Sequence, residues 1–321
     1  MRFSVVVSTY DITRIDDLQD CVRSVLEQSY SDFEVIVVVD NNRRLFWALR
    51  ERYAQEAAVR VILNDANRGL SSCMNCGVLE ARGQIVCFVD DDAVADENWL
   101  SELAREYDID VNTWGVGGRI KPLWAGKKLS YLPDEFYWMI GATNGRLTDQ
   151  VKEVRNLWSG NASYRREAFD RFGLFLRDLG KVGNSLLQGE DAEFGLRISR
   201  ATGKGLEYVP TAVVFHKVYD YRLKLRSLLK RAYQQGCAKG YLVCLYGDVG
   251  VLSAERGYMK LVLGSTVGRL KQILFGPCRI RALKQQVFAI MATAAVLLGF
   301  GNALIREKLR SSVISRQVPP I

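Results

Sequence analysis

The sequence predicts an α/β fold in which a mostly parallel sheet is flanked by helices and continued by a basic helical C-terminal region with one membrane-length apolar segment. Three observations carry this. Over the first 120 residues, short apolar runs alternate with helix-like segments, the pattern of parallel strands joined by crossover helices. The runs are continuous rather than alternating, as they are when helices cover both faces of a sheet. The charge changes sign at Asp220: residues 1–220 carry 27 Lys and Arg against 33 Asp and Glu, net −6, whereas residues 221–321 carry 17 against 3, net +14. With 48% hydrophobic residues and no repeat, the chain is neither disordered nor a solenoid.

Residues 3–8, 34–39, 59–63, 85–89 and 114–120 read as strands. Between the first two, Leu18, Cys21, Val22, Val25 and Leu26 fall at i, i+3, i+4, i+7 and i+8, one apolar stripe of a helix. Further helices are expected over 43–57, 70–81 and 97–107. From 121 to 158 the period is lost and aromatics gather (Trp124, Tyr131, Phe136, Tyr137, Trp138), which predicts a long functional loop region or a small subdomain. Residues 165–172 and 190–202 then read as helices, 207–215 as a strand and 221–246 as a long basic helix. No Gly/Ser- or Pro-rich linker interrupts the chain, so a core over 1–220 and a tail over 221–321 packed on it are expected.

The tail holds residues 287–305, nineteen positions without a charge, flanked by Arg279, Arg281 and Lys284 before and Arg306, Lys308 and Arg310 after. That length matches a membrane helix, although Gly299, Gly301 and Asn302 weaken its far end; the other reading is a buried hairpin helix. The N-terminal run FSVVVS is strand-sized and lacks the features of a signal peptide, so the large domain is expected in the cytoplasm, at the cell membrane. Seven scattered cysteines suit reduced thiols, and the C-x-x-C of Cys73 and Cys76 lacks the second pair that a zinc site needs. Basic residues beside an apolar segment point to a membrane rather than to nucleic acid.

In open sheets, ligands bind beyond the carboxyl ends of the strands. Thr9, Tyr10 and Asp11 follow the first strand, with no G-x-G-x-x-G, which argues against a dinucleotide oxidoreductase. Asp40 follows the second and reads either as a ligand contact or as a helix cap. Asp90, Asp91 and Asp92 follow the fourth. Three adjacent carboxylates repel one another unless a cation sits among them, which points to Mg²⁺ or Mn²⁺ and to a diphosphate that such an ion binds; the alternative is a solvated acidic turn. Glu190 and Asp191 open a helix, and the single histidine, His216, ends an apolar strand. Taken singly, these read as a favourable helix-dipole pair and a structural histidine.

In order along the chain, SVVVSTYD, the strand ending in Asp40, NRGLSSCMNCGVLEARGQIVCFVDDD, Gly160-Asn161, Glu190-Asp191 and His216 resemble glycosyltransferase family 2 over about residues 1–220. Ser8-Thr9-Tyr10-Asp11 departs from the more usual Pro-Thr-Tyr-Asn. The basic helix and apolar tail resemble the membrane-tethered branch that acts on polyprenyl phosphate lipids. The resemblance implies a GT-A-type, Rossmann-like fold and an inverting, metal-dependent transfer of sugar from a nucleotide diphosphate donor, a UDP-sugar ahead of a GDP-sugar, to a lipid-linked or glycan hydroxyl at the cytoplasmic membrane face. It implies that Thr9, Tyr10 and Asp40 hold base and ribose, and that Asn67, Arg68 and Gly69 border the diphosphate. Asp90 and Asp92 match D-x-D, with Asp91 beside them at the nucleotide, and His216 completes the Mn²⁺ or Mg²⁺ site. Gly160, Asn161 and Glu190 shape the acceptor side, and Asp191 is the base. Two alternatives remain: a non-catalytic nucleotide-binding membrane scaffold, and a processive polysaccharide synthase, which would carry Q-x-x-R-W where this chain has Gln234-Gln235-Gly236-Cys237.

Overall fold

The computed structural model describes residues 2–65, 69–143, 149–179, 189–247 and 249–317. Strands β1 (Phe3–Thr9), β2 (Phe33–Asp40), β3 (Val59–Asn64) and β4 (Ile85–Asp90) form a parallel block, with Phe3 opposite both Phe33 and Ile85. Helices α1 (Ile15–Leu26), α2 (Arg43–Arg52) and α3 (Leu70–Glu80) are its crossovers. The expected stripe is the buried one: Leu18, Cys21, Val22 and Val25 face the sheet. Helix α2 stops five residues short of its expected end, because the chain tightens into i→i−3 turns, Ala54 N–H to the Glu51 carbonyl and Glu56 N–H to that of Tyr53, and the Ala58 carbonyl accepts from Val35 N–H at the start of β3.

Beyond β4 the sheet changes direction. The described strands run β3-β2-β1-β4-β8-β6-β9-β5, with β7 on β9, and four of the eight pairings are antiparallel. Strands β6 (Gly115–Trp124) and β9 (Leu206–Val218) were expected, although shorter. Strands β5 (Ala93–Ala95), β7 (Lys152–Val154) and β8 (Asn161–Arg165) were not. Sequence Asn-Ala-Ser-Tyr-Arg hides β8 because its polar residues are buried: Ser163 donates to the Val116 carbonyl at 2.6 Å and meets Tyr107 Oη at 3.1 Å. A strand with hydrogen-bonded polar side chains inside a sheet costs little and carries no apolar signature.

Helix α4 (Trp99–Ile109) packs with α1 and α2 on one face of the sheet. Helices α3, α5 (Arg166–Phe172) and α6 (Glu190–Thr202) cover the other around Phe88, Tyr164, Phe169, Phe175 and Phe194, with Phe169 and Phe194 stacked at 4.9 Å. The aromatic stretch expected as loop or subdomain contains a 3₁₀ helix, Asp134–Ile140. Its side chains build a third core with α7 (Leu225–Tyr246), α8 (Ser253–Phe275) and α9 (Arg279–Gln317). Helix α8 was not anticipated. Trp138 Nε1 donates to Tyr258 Oη at 2.9 Å, and Arg269 pairs with Glu135, fixing α8 to the 3₁₀ helix.

The apolar segment at 287–305 lies within α9, whose residues 279–306 are long and apolar enough to cross a membrane. Helix α9 runs against α7 with their backbones in contact. A Cβ on Gly236 would lie 1.9 Å from the Val296 carbonyl oxygen, and one on Gly299 1.9 Å from that of Tyr233. A Cβ on Gly301, by contrast, meets nothing within 4 Å. Forcing a methyl between packed backbones costs about 1–3 kcal/mol, whereas Gly to Ala at an open helical site gains up to about 1 kcal/mol. Gly299→Ala is therefore expected to lower the unfolding midpoint of the detergent-solubilised protein and Gly301→Ala to leave it level or raised; equal midpoints would refute the tight α7–α9 contact.

Candidate active site

The crevice opens at the carboxyl ends of β1, β2 and β4, where the parallel and antiparallel halves of the sheet meet. Thr9, at the end of β1, is buried and donates to Asp91 at 2.8 Å, while Tyr10 is exposed at the rim. Asp40 closes β2 and accepts from Asn64 Nδ2 at 3.1 Å. It is not the cap of α2: Asn42 holds that position, accepting from Leu45 N–H at 3.0 Å, which leaves Asp40 facing the crevice. Gly69, with φ of 79°, starts α3 in a conformation that favours glycine. Asn67 and Arg68 lie outside the described residues.

After β4, the chain turns through Asp90, Asp91 and Asp92 into β5, which pairs antiparallel with β9 so that Ala93 stands opposite His216. This pairing brings Asp92 to His216, with Oδ1 and Nε2 3.3 Å apart, and sets Asp90 Oδ2 4.0 Å from the same nitrogen. Arg14, just ahead of α1, reaches Asp92 at 2.6 Å and Asp91 at 3.1 Å. Arg222, from the turn before α7, reaches Asp92 at 2.7 Å and His216 Nε2 at 3.0 Å. Against the cost of burial, His216, Arg222 and Arg14 hold the Asp92 carboxyl far below the usual range. Burial pushes Asp91 up to about 6, and burial with the neighbouring charge of Asp92 raises Asp90.

The cation expected among the carboxylates is thus met in part by two guanidinium groups that sequence alone did not single out. Carboxylate oxygens of Asp90 and Asp92 and a ring nitrogen of His216 nevertheless lie within 4.8 Å of one another, a donor set that fits a divalent metal. His216 Nε2 lies between the Arg222 guanidinium at 3.0 Å and the Asp92 carboxylate at 3.3 Å, while Nδ1 is buried without a hydrogen-bond partner among the described residues.

The residues expected at the acceptor side divide. Gly160 lines the cavity so closely against Asp90 that a Cβ there would lie 2.8 Å from Oδ2. Asn161 does not line it. Its side chain is buried in the sheet, accepting from Trp99 Nε1 at 2.8 Å and donating to the carbonyls of Ala212 and Arg119 at 2.9 and 3.1 Å, and those bonds use the amide in holding β8 in place. Glu190 and Asp191 open α6 on the cavity wall. Ala192 N–H donates to Asp191 at 2.6 Å and Gly189 N–H to Glu190 at 2.9 Å. Burial nonetheless raises Asp191 above the usual aspartate range, against backbone amides, Arg155 and Lys239. Burial and the charge of Asp191 push Glu190 up to about 8.

A wall that sequence reasoning missed comes from the tail. Arg231, Gln235 and Lys239, at i, i+4 and i+8 of α7, all line the cavity, a spacing that was legible but unremarked among the many tail cations. Arg155 pairs with Glu255 of α8 at 2.7 Å, and Lys239 pairs with the same carboxylate, held to about 2 despite its burial by Lys239 and Arg155. Burial and Arg222 lower Arg231 to about 10. Leu252 just before α8, Met259 of α8 and Val296, Leu297 and Phe300 of α9 give the cavity an apolar part of its wall. The cavity holds about 940 Å³.

The glycosyl transferase family 2 model matches residues 4–173. A glucosyl-dolichyl phosphate glucuronosyltransferase of Haloferax volcanii is 32% identical over 311 residues, 96% of this chain and 98% of that one. Two solved structures share the fold. The Pyrobaculum calidifontis mannosyltransferase PcManGT, in complex with GDP-Man and Mn²⁺, aligns with a TM-score of 0.58 at 17% identity over 92% of this chain and 87% of that one. S. aureus TarS residues 1–349, in complex with UDP, aligns with a TM-score of 0.52 at 18% identity over 97% and 92%. An enzyme rather than a scaffold, the chain belongs to glycosyltransferase family 2, with a GT-A fold and a nucleotide-sugar donor.

Proposed function

We propose that this enzyme transfers a sugar, with inversion, from a nucleoside diphosphate donor to the hydroxyl of a lipid-linked acceptor at a membrane surface, its catalytic core on the cytoplasmic side. One observation carries the reading: a single cavity is lined both by Thr9, Asp40, Asp90, Asp92 and Asp191 and by the apolar side chains of α8 and α9. A soluble glycan needs no apolar wall beside the base. The Haloferax volcanii relative, named for a glucosyl-dolichyl phosphate, supports such an acceptor. Free thiols throughout support a reducing compartment. The division between core and tail is placed at residue 220, where the charge changes sign.

In this reading Thr9, Tyr10 and Asp40 hold the nucleoside, and Gly69 with Asn67 and Arg68 borders the diphosphate. The donor is a UDP-sugar ahead of a GDP-sugar. Asp90, Asp92 and His216 would hold Mn²⁺ or Mg²⁺, which as a Lewis acid offsets charge on the leaving diphosphate. Gly160 leaves room for the acceptor beside Asp90. Asp191 accepts the proton of the acceptor hydroxyl as that oxygen bonds to the anomeric carbon and the carbon–oxygen bond to the diphosphate breaks on the opposite face. A single displacement with one base inverts the configuration. Glu190, protonated below about 8, stands beside Asp191 as a donor rather than a second base.

Four measurements test this: two variant rates, the pH profile and Mn²⁺ binding. In transfer of labelled sugar from a panel of UDP- and GDP-sugars into organic-extractable lipid, Asp191→Asn should lose about 10²–10⁴ in rate with donor binding kept; an unaffected rate would exclude Asp191 as base. Glu190→Gln, which keeps a donor in place, should stay within about tenfold at pH 7. The raised pKa of Asp191 means that activity climbs with pH on an acid limb lying above the usual aspartate range, because only the ionised form accepts the proton. Ionisation of Glu190 then lowers the wild-type rate above about pH 8, an alkaline limb that Glu190→Gln should abolish. Finally, Mn²⁺ should raise the wild-type thermal midpoint, and Asp92→Asn should weaken Mn²⁺ binding by more than about tenfold; equal binding in the two would place the metal elsewhere.

A further inference from the structure

Helices α8 and α9 leave their outer faces apolar in a way that a soluble enzyme does not. On α8, Met259, Leu263, Val267, Leu270 and Leu274 are exposed at intervals of four, four, three and four, one continuous stripe. The opposite face, Val262, Ser265 and Arg269, is buried on the protein. On α9, Ile280, Leu283, Val287, Ile290 and Leu298 are exposed in the same manner, with Phe275 83% exposed at the turn between the helices. Exposed cations border both: Lys260 and Lys271 follow Met259 and Leu270 by one residue, about 100° round the helix, and Arg279, Arg281 and Lys284 stand along the start of α9. Glu255 is the one carboxylate in residues 249–306, and it is spent inward on Arg155 and Lys239. Apolar stripes edged with positive charge complement an anionic lipid surface.

A span by α9 conflicts with its packing. Gly236 and Gly299 hold α7 and α9 backbone to backbone, and Asn302 is hydrogen-bonded to Tyr233. Helix α7 carries Arg226, Lys230, Arg231 and Lys239, two of them on the cavity wall. Setting α9 upright through the hydrocarbon would draw these charges in with it, at a cost that isolated cations do not recover. Lying flat, the pair needs no such burial. Met259 and Leu297 are both exposed and both on the cavity wall, so the cavity opens between α8 and α9 onto the apolar face.

We propose that α8 and α9 lie in the plane of an anionic bilayer as a monotopic seat, and that the acceptor's hydrocarbon chain enters the cavity sideways between Met259 and Leu297. The seat stands on its own; the entry route rests on the lipid-acceptor reading above. The test uses the full chain with Cys244 and Cys278 changed to Ser, spin-labelled in turn at Leu270→Cys, Leu283→Cys and Leu298→Cys. Oxygen and nickel accessibility on vesicles of phosphatidylcholine, with and without phosphatidylglycerol, reads depth. All three labels should sit at one shallow depth, about 5–10 Å, with binding stronger on the anionic vesicles. Depth increasing from Leu283 to Leu298 with Leu270 in water is a span and overturns the seat, as do labels that stay in water or that broaden against a second copy. For the entry route, a polyprenyl phosphate with a diazirine at its far end should crosslink to peptides carrying Met259 and Leu297; crosslinks confined elsewhere overturn it. Depth readings do not depend on turnover, so an enzyme seated in plane that glycosylates no lipid would sink the proposed function and leave the seat standing.

Discussion

Three consecutive carboxylates, the last two buried, are the constraint on which the rest of the structure depends. Asp91 and Asp92 are 6% and 2% exposed, and buried like charges are intolerable unless positive groups surround them. The chain answers from three distant places: Arg14 from before α1, His216 from β9 and Arg222 from before α7. The short strand β5 exists to make one of these contacts, since its pairing with β9 is what seats Asp92 beside His216. Lys217, next along β9, extends the neutralisation by pairing with Asp17 and Asp20 of α1. A cluster that would repel itself in isolation thereby ties the first strand's helix, the last strand and the tail to one point.

That tie also explains the sheet. Parallel strands bring Thr9, Asp40 and Asp90 to one edge, as they do wherever successive crossovers have the same hand. Such a block has no means of placing a carboxylate opposite its own carboxyl-end loops, because these all point the same way. The reversal at β8 supplies it. By running antiparallel to β4, β8 returns the chain to the crevice at Ser159 and Gly160, and α6 follows with Asp191 against that turn. Asn161 is the joint: its amide ties β8 to Trp99 on one side and to Arg119 and Ala212 on the other.

The parallel half was legible because buried strands under two layers of helix leave continuous apolar runs, and β1 through β4 with α1 and α3 fall where that pattern put them. What was lost shares one physical cause. Strand β8 is polar and satisfied inside; α8 is apolar on its outer face and carries Ser265 and Arg269 toward the protein, the reverse of a soluble helix. Asn161 looked like a ligand contact for the same reason, since a buried amide with all its bonds made and an amide awaiting a substrate are identical in sequence. Asp40 was open between cap and ligand contact, and only the geometry of Asn42 decides which residue caps α2.

The sign change at residue 220 has a meaning that net charge alone does not convey. Part of the excess positive charge of the tail turns inward: Arg222, Arg231 and Lys239 stand over a crevice otherwise dominated by Asp90, Asp91, Asp92, Glu190 and Asp191. An acidic crevice by itself would repel any anion; lined by these cations as well, it becomes a place where anionic groups and buried carboxylates can stand side by side. Arg231 marks how finely this is set. It has only the Met139 carbonyl at 2.5 Å among its hydrogen bonds in the described residues, and burial with Arg222 lowers it to about 10. At about 10 it remains charged at neutral pH, with no ion-pair carboxylate within 4 Å among the described residues.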